Sequence, residues 1–311
     1  MGELIGIDQR VAASSGTAAF HLLLEALDVS PGQEVILPSY TCQSLLHPIH
    51  HVGADPVLAD VEEGTYSLSE RTVKPHLSDR TALIVLVHNF GHPVNEPDLF
   101  DLDLPVAEDL AHALGARLDD NEHVGSRGLA AFGSLYATKQ LAAGLGGFVA
   151  SNSNELIKDV RDLKTYDERN DFRPAYNYSF SDLNAGLARS QLQKLDDHRE
   201  KREQLADLYD SELDDLEPIQ TLNRPSGHAF YRYLIRCPRA HEVGEHIRSH
   251  EQIEVKSPVH RPLHQIVDDQ NCPTTDQLHS ETLMLPLHPS LTKQNAREVI
   301  TALKNSLRVL S

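Results

Sequence analysis

Lys139 is the residue in this chain with the plainest chemical potential. It lies in SLYATKQLAAGLGG, residues 134–147, between a group of small hydroxyl residues and a glycine-rich run. An amine becomes a nucleophile when burial or a neighbouring cation lowers its pKa. In the ordinary structural reading this is an exposed lysine ahead of a turn. Two further stretches bear on the choice. SSGTAAF, residues 14–20, places Ser15, Gly16 and Thr17 at the start of an amphipathic run. Free N–H groups at a helix start, with hydroxyls beside them, form a site for phosphate. Ser15 or Thr17 serves equally well as a plain N-cap. LPVAEDLAHALGA, residues 104–116, ends an apolar strand in Glu108 and Asp109. Ligands in open α/β sheets sit at the carboxyl ends of strands, where a carboxylate can hold a cofactor cation. Alone, Asp109 reads as a helix cap.

Taken together, a phosphate cup, an acid at a strand end and a lysine on a later strand-loop are the parts of a pyridoxal phosphate site. The lysine forms the Schiff base, the acid keeps the pyridine nitrogen protonated, and the helix start holds the phosphate. Ser134 and Thr138 add hydroxyl donors next to the lysine.

The elements that must position these residues follow from the apolar pattern. EVILPSY, DPVLADV, TALIVLVHNF, LPVAED, AAFGSLY and GGFVAS read as strands, several of them continuously apolar, as strands covered on both faces are. TAAFHLLLEAL, TCQSLLHPIHH and NSNELIKDVRDL read as helices between them. This alternation predicts an α/β domain with a mostly parallel central sheet flanked by helices, over residues 1–195. A long charged helical stretch from Ser181 or Asp182 leads out of it. A strand (YRYLIRCP), a helix (HEVGEHIRSH), a Pro- and His-rich loop and a last helix from about Thr292 then predict a small α+β domain over residues 196–311.

Composition excludes several function classes. A formal charge of −18 over 311 residues argues against nucleic acid as the main partner. It leaves room for an anionic substrate at a locally positive site. No apolar run is long enough to span a membrane, and MGELIGIDQR lacks the pattern of a signal peptide. The three cysteines, Cys42, Cys237 and Cys272, have neither metal nor disulfide-framework spacing. The chain is expected to be cytoplasmic. The histidines of HPIHH (His47, His50, His51), HNFGH (His88, His92) and HRPLH (His260, His264) have no strong ligand spacing, so no metal site is expected.

At this point the chain resembles a known family, the DegT/StrS-type sugar-nucleotide aminotransferases of the fold-type-I pyridoxal phosphate enzymes. The resemblance is carried by SSGTAAF, EVILPSYTC, GADPVLADV, VAEDLAHALGA, FGSLYATKQLAAGLGGFV, AYNYSFSDLNAGLARSQL and the closing HRPLH and LMLPLHPSLT, all in the family's order. It implies amino transfer, usually from L-glutamate, to a nucleotide-linked keto sugar, with pyridoxal 5′-phosphate as cofactor. Lys139 would be the Schiff-base lysine and proton shuttle. Asp109 would pair with the ring nitrogen, His112 would lie near the ring's phenolic oxygen, and Ala111 would pack on a ring face. Ser15, Gly16, Thr17 and Ser134 would hold the phosphate. Asn177 would reach the cofactor phosphate of a neighbouring subunit, making a homodimer with shared active sites. His264 and Tyr40 would lie near the substrate.

The chain departs from the family pattern in four places. The segment before SSGT is shorter, and so is the stretch between His92 and Asp109, which leaves little room for a helix. Cys42 stands where many members have a ring-stacking aromatic. Ser179 replaces an arginine. The alternatives are a dehydratase-like sugar reaction, against which the retained Lys139 weighs, and a shortened relative that binds without turnover.

Overall fold

A computed structural model describes residues 2–167, 169–267 and 271–310. Seven strands form the central sheet: β1 (Arg10–Ala13), β2 (Glu34–Pro38), β3 (Asp55–Ala59), β4 (Thr81–Val87), β5 (Val106–Asp109), β6 (Ala130–Ser134) and β7 (Gly147–Ala150). Their spatial order is β1-β7-β6-β5-β4-β2-β3. β2, β3, β4, β5 and β6 pair in parallel, whereas β7 runs antiparallel to both β6 and β1. The apolar runs are strands because both faces are covered: β2 and β5 are buried at every residue and β4 at all but Ala82. The predicted strands therefore all form. β1 was not foreseen, because RVAA is a four-residue strand at one edge, with alternate residues exposed.

One face of the sheet packs on the Gly16–Ala26 and Asn154–Lys164 helices through Phe20, Leu23, Ile157 and Val160. Phe20 stacks on Phe132 of β6, with ring centroids 4.6 Å apart. The first of these helices starts where it does because the Ser15 hydroxyl accepts from Ala18 N at 3.0 Å. Such a cap contributes about 1 kcal/mol. The run TCQSLLHPIHH is helical only in part, as a 3₁₀ turn Gln43–Leu45 followed by the Leu46–His51 helix. Thr41 and Cys42 stay outside it. Between His92 and Asp109 there is a single helical turn, Pro97–Phe100.

The long charged stretch divides into two helices, Asp182–Leu192 and Leu195–Leu213. Ser181 caps the first, accepting from Asn184 N. The break at Gln193–Lys194 coincides with a tightened turn in which Lys194 N donates to Gln191 O at 3.0 Å. The second helix gives Leu205, Ala206, Tyr209 and Leu213 to a separate core shared with β9 (Tyr233–Arg236), β10 (Thr282–Leu285) and the Ala240–Glu251 and Lys293–Leu310 helices. β8 (Gln220–Thr221) completes a three-stranded antiparallel sheet there. A third group, including Tyr40, Tyr66, Phe90, Leu234 and Leu278, packs where the two cores meet.

Candidate active site

The segment 134–147 is the connection between antiparallel β6 and β7, whose ends meet as Ser134 opposite Gly147. Its base is closed by Leu135 N to Gly146 O and Ala143 N to Leu135 O, each 2.8 Å. Lys139 sits in a tight turn held by its own N–H on Tyr136 O at 2.8 Å. The side-chain amide of the next residue, Gln140, donates to Ala229 O and ties the turn to a distant segment. Gly146 has φ +154°, and a Cβ there would lie 2.5 Å from the Phe180 ring, so this position requires glycine.

The turn faces a cleft of about 370 Å³, a volume typical of cofactor and ligand sites. Its wall brings together Ser15, Gly16, Thr17, Asp109, Ala111, His112, Ser134 and Lys139, which lie in separate sequence segments. Thr41, Cys42, Val87, Phe132, Tyr136 and Thr138 complete much of the rest. Parallel strand ends explain the convergence. Asp109 ends β5 and Ser134 ends the adjacent β6, in the same direction. The helix start arrives from β1, which is joined to β6 through β7.

The phosphate cup is built by close approach. A Cβ on Gly16 would lie 2.8 Å from Ser134 Cβ, and one on Gly147 would lie 2.2 Å from Ser15 O. Only glycine lets the helix start settle onto β6 and β7. The first turn leaves the N–H groups of Gly16 and Thr17 without intrahelical acceptors, next to the Ser134 hydroxyl. Ser15 is thus both cap and cup, and the two readings of SSGT coincide.

Asp109 does not cap a helix. It is 6% exposed, and the residues after it form turns. Oδ1 accepts from Ala111 N at 2.8 Å, the only hydrogen bond its carboxylate makes among the described residues. Burial pushes its pKa up, against the opposing influence of the Ala111 N–H, Lys139 and His88. A buried carboxylate with one donor and its face on a cleft suits a cationic ring N–H. Next to it, Glu108 points to the other side of β5. It takes His88 Nε2 at 2.9 Å and the N–H groups of Gly125, Arg127 and Gly128. Those bonds outweigh burial and hold Glu108 below the usual carboxylate range.

Burial, with the Lys139 and Arg232 charges nearby, holds the His112 pKa well below that of a free imidazole. Its ring stacks between Tyr231 and Phe90, with centroids 4.4 Å and 5.9 Å away. Tyr231 also lies under the Lys139 ammonium, 5.4 Å from ring centroid to Nζ. Sequence reasoning took the Tyr231 segment only as a strand and missed this role. Nothing local in YRYLIR marks it, since it reaches the site from far beyond Lys139 in the chain. These features fit pyridoxal phosphate: an N–H cup for phosphate, a buried carboxylate for a ring N–H, and an amine on the same cleft.

Three expected residues lie elsewhere. Tyr40 is fully buried in the junction core, near Tyr66 and Phe90. The cleft wall takes the next two residues, Thr41 and Cys42, and not Tyr40. His264 is clamped between Ser39 Oγ, 2.6 Å from Nδ1, and Asp276 Oδ1, 3.1 Å from Nε2. It joins the end of β2 to the Pro273–Glu281 helix and does not line the cleft. Asn177 is exposed and also outside the cleft wall, beside Tyr178, whose carbonyl takes Ser14 N at 2.9 Å. The remaining histidines are scattered. His92 packs edge-on against His228, and burial lowers their pKa values to about 4 and about 3. Among the described residues, no group of three or more His, Cys, Asp or Glu is placed to hold a metal ion.

The sequence profile of the DegT/DnrJ/EryC1/StrS aminotransferase family matches residues 1–304. Among solved structures, the chain is similar to the aminotransferase TlmJ from Streptoalloteichus hindustanus. The two are 26% identical with TM-score 0.91, over 100% of this chain and 89% of that one. DesV of S. venezuelae, solved in complex with a ketimine intermediate, is 27% identical with TM-score 0.90, over 98% and 86%. NtdA from Bacillus subtilis, solved with bound cofactor PMP, shares the fold at 21% identity and TM-score 0.91, over 99% and 75%. The fold is that of the fold-type-I aminotransferases.

Proposed function

Because the chain belongs to the DegT/DnrJ/EryC1/StrS aminotransferase family, whose cofactor is pyridoxal 5′-phosphate, we propose that it transfers an amino group from L-glutamate to a nucleotide-linked keto sugar. The observation that carries this reading is the convergence of Lys139, Asp109 and the 15–17 turn on one cleft. When bound, the cofactor supplies an electrophilic carbonyl and an electron-withdrawing ring. The chain's residues do the rest. Lys139 Nζ would hold the cofactor at that carbonyl and, when not bound to it, would be the base that moves the proton. Asp109 keeps the ring nitrogen's proton in place. The N–H groups of Gly16 and Thr17 and the Ser15 and Ser134 hydroxyls hold the phosphate. Ala111 would pack on a ring face, and His112, fixed by its two aromatic neighbours, lies in the cleft wall with it.

We take residues 1–195 as the cofactor-carrying part and 196–311 as the second part; the cleft lining, all within 15–139, and a core built from residues 205–303 support that division. The active form in this reading is a homodimer in which Asn177 serves the partner's site. Large exposed apolar side chains support it: Phe172 is 98% exposed, Leu183 86% and Leu145 55%. The last two lie on neighbouring segments, since Asn184 Nδ2 donates to Leu145 O, and apolar exposure of that kind marks an interaction surface. The Asp182–Leu192 helix has no buried residue of its own. A cytoplasmic location is supported by three free cysteines. No helix of the described residues is long and apolar enough to cross a membrane.

The test is the visible spectrum of the cofactor-loaded protein before and after L-glutamate. The expected result is loss of the Lys139-bound cofactor band with one 2-oxoglutarate formed per site, and ping-pong kinetics once a keto sugar is added. A band that persists with glutamate but vanishes with another amino acid overturns the donor. Mixing an Asn177→Ala variant with a Lys139→Ala variant tests the shared site. Each is expected to be weak or dead alone, and the mixture to regain part of the activity through heterodimers with one intact site. A mixture no better than the sum of its parts removes Asn177 from a partner's site.

A further inference from the structure

Two arginines next to Tyr231 carry charge without a counter-charge. Arg202, on the Leu195–Leu213 helix, is 8% exposed. Its Nη1 makes one long bond, 3.5 Å to His198 O, and its Nε is buried with no partner. Arg232 immediately follows Tyr231. Its guanidinium lies over the Tyr231 ring at 4.4 Å, and Nη2 donates to the Tyr231 hydroxyl at 3.2 Å. Among the described residues, neither guanidinium forms an ion pair with a carboxylate. Other well-covered arginines in this acidic chain have partners: Arg236 pairs with Glu63 and Glu281, Arg224 with Asp207 and Asp210, and Arg199 donates to Gly115 O and His228 O. Burial, with Arg232's charge adding to it, brings the Arg202 guanidinium down to about 10.

Buried charges in proteins are paired or bonded, and a buried polar group left bare calls for a missing ion or ligand. Here two like charges sit together with spare donors, and the ring that Arg232 covers is the ring that stacks on His112 and lies under Lys139. Arg232 is not in the wall of the Lys139 cleft; it lines another cleft of about 410 Å³, whose wall includes Lys256, His288 and Asn295. We propose that Arg202 and Arg232 form an oxyanion subsite that holds an acidic group of the substrate, one aromatic ring away from the Lys139 amine. A planar guanidinium matches a carboxylate or a phosphate with two parallel N–H bonds. The identity of the substrate rests on the function proposed above. In that scheme the oxyanion comes from a carboxylate of the amino donor or from the diphosphate of the acceptor, and both bind at one site in successive half-reactions.

The experiment is calorimetric titration of the cofactor-loaded protein with two unreactive probes. Glutarate has the donor's carboxylates and no amine, and uridine diphosphate has the acceptor's phosphates and no sugar. Because neither turns over, the subsite is read independently of amino transfer. If glutamate fails to bleach the cofactor band while a probe binds through Arg232, the donor is wrong and the subsite stands. The wild type is expected to bind at least one probe, and Arg232→Met to weaken it about tenfold or more, the loss of a charged hydrogen-bond pair. The probe whose affinity falls identifies the source of the oxyanion, and a fall in both means both substrates use it. Arg232→Lys is expected to recover part of the affinity. Thermal unfolding supplies a second readout. Phosphate is expected to raise the Tm of the wild type and not that of Arg202→Met, which removes an uncompensated buried charge and should fold at least as well without anion. The proposal is overturned if the wild type binds neither probe. It is also overturned if both arginine-to-methionine variants fold and bind both probes within twofold of wild type.

Discussion

Lys139→Ala is expected to lose amino transfer by a factor of about 10⁴ or more while the protein stays folded and still binds its cofactor. The loss is large because one side chain does two jobs, as nucleophile and then as the base that moves the proton, and general base catalysis alone is worth roughly 10²–10⁴. Folding is spared because the amine makes no hydrogen bond or ion pair among the described residues and rests only against the Tyr231 ring. The turn around it is held by backbone bonds and by Gln140, which the substitution leaves in place. The cup at Gly16, Thr17 and Ser134 is untouched, so cofactor is retained non-covalently and its visible band shifts to that of the free aldehyde. Turnover within tenfold of wild type would remove Lys139 from the chemistry.

Asp109→Asn is expected to cut activity by at least about a hundredfold, on the scale of removing one well-placed electrostatic group from an active site. Its effect on stability should have the opposite sign. The amide introduced there would keep an oxygen for the Ala111 N–H and remove a buried charge. Burial raises the Asp109 pKa above that of the unfolded chain. Whatever stability this protonated acid gives the cofactor-free fold is complete below the unfolded pKa and is lost as pH rises through the raised folded value. The cofactor-free variant should therefore match wild type in acid and become relatively more stable as pH climbs past the carboxyl range. Thermal unfolding of both proteins across that range measures it. A variant that unfolds at every pH would make Asp109 a structural residue first.

The sequence shows much of this site because the chemistry sits at strand ends. An apolar run followed by Asp109, another followed by Ser134 and a Ser-Gly-Thr turn are local signals, and parallel pairing brings them together without further information. The family resemblance supplied the roles of Ala111 and His112 that spacing alone did not. What failed was non-local. Tyr40 carries the right chemistry two residues from Cys42, yet its ring packs into the junction core against Tyr66 and Phe90. His264 is satisfied by Ser39 and Asp276, partners that no short window contains. Phe90 and Tyr231 reach the His112 ring from different segments, one shortly before it in the chain and one far beyond it. The break between the Asp182–Leu192 and Leu195–Leu213 helices has no proline or glycine to announce it. β1 is too short to show a period.

The reversed strand has a consequence for how the protein is made. β1 reaches the sheet only through β7, so Ser15 and Gly16 cannot meet Ser134 until residues 147–150 are in place between them. During synthesis the Gly16–Ala26 helix can pack early on the Leu46–His51 helix that follows it, while its first turn waits for β6 and β7. Contacts so distant along the chain close slowly. The phosphate cup is therefore among the last parts of the large domain to exist, and a chain that can hold its cofactor is one whose sheet has already closed. Cofactor capture in this protein reports completed folding of that sheet.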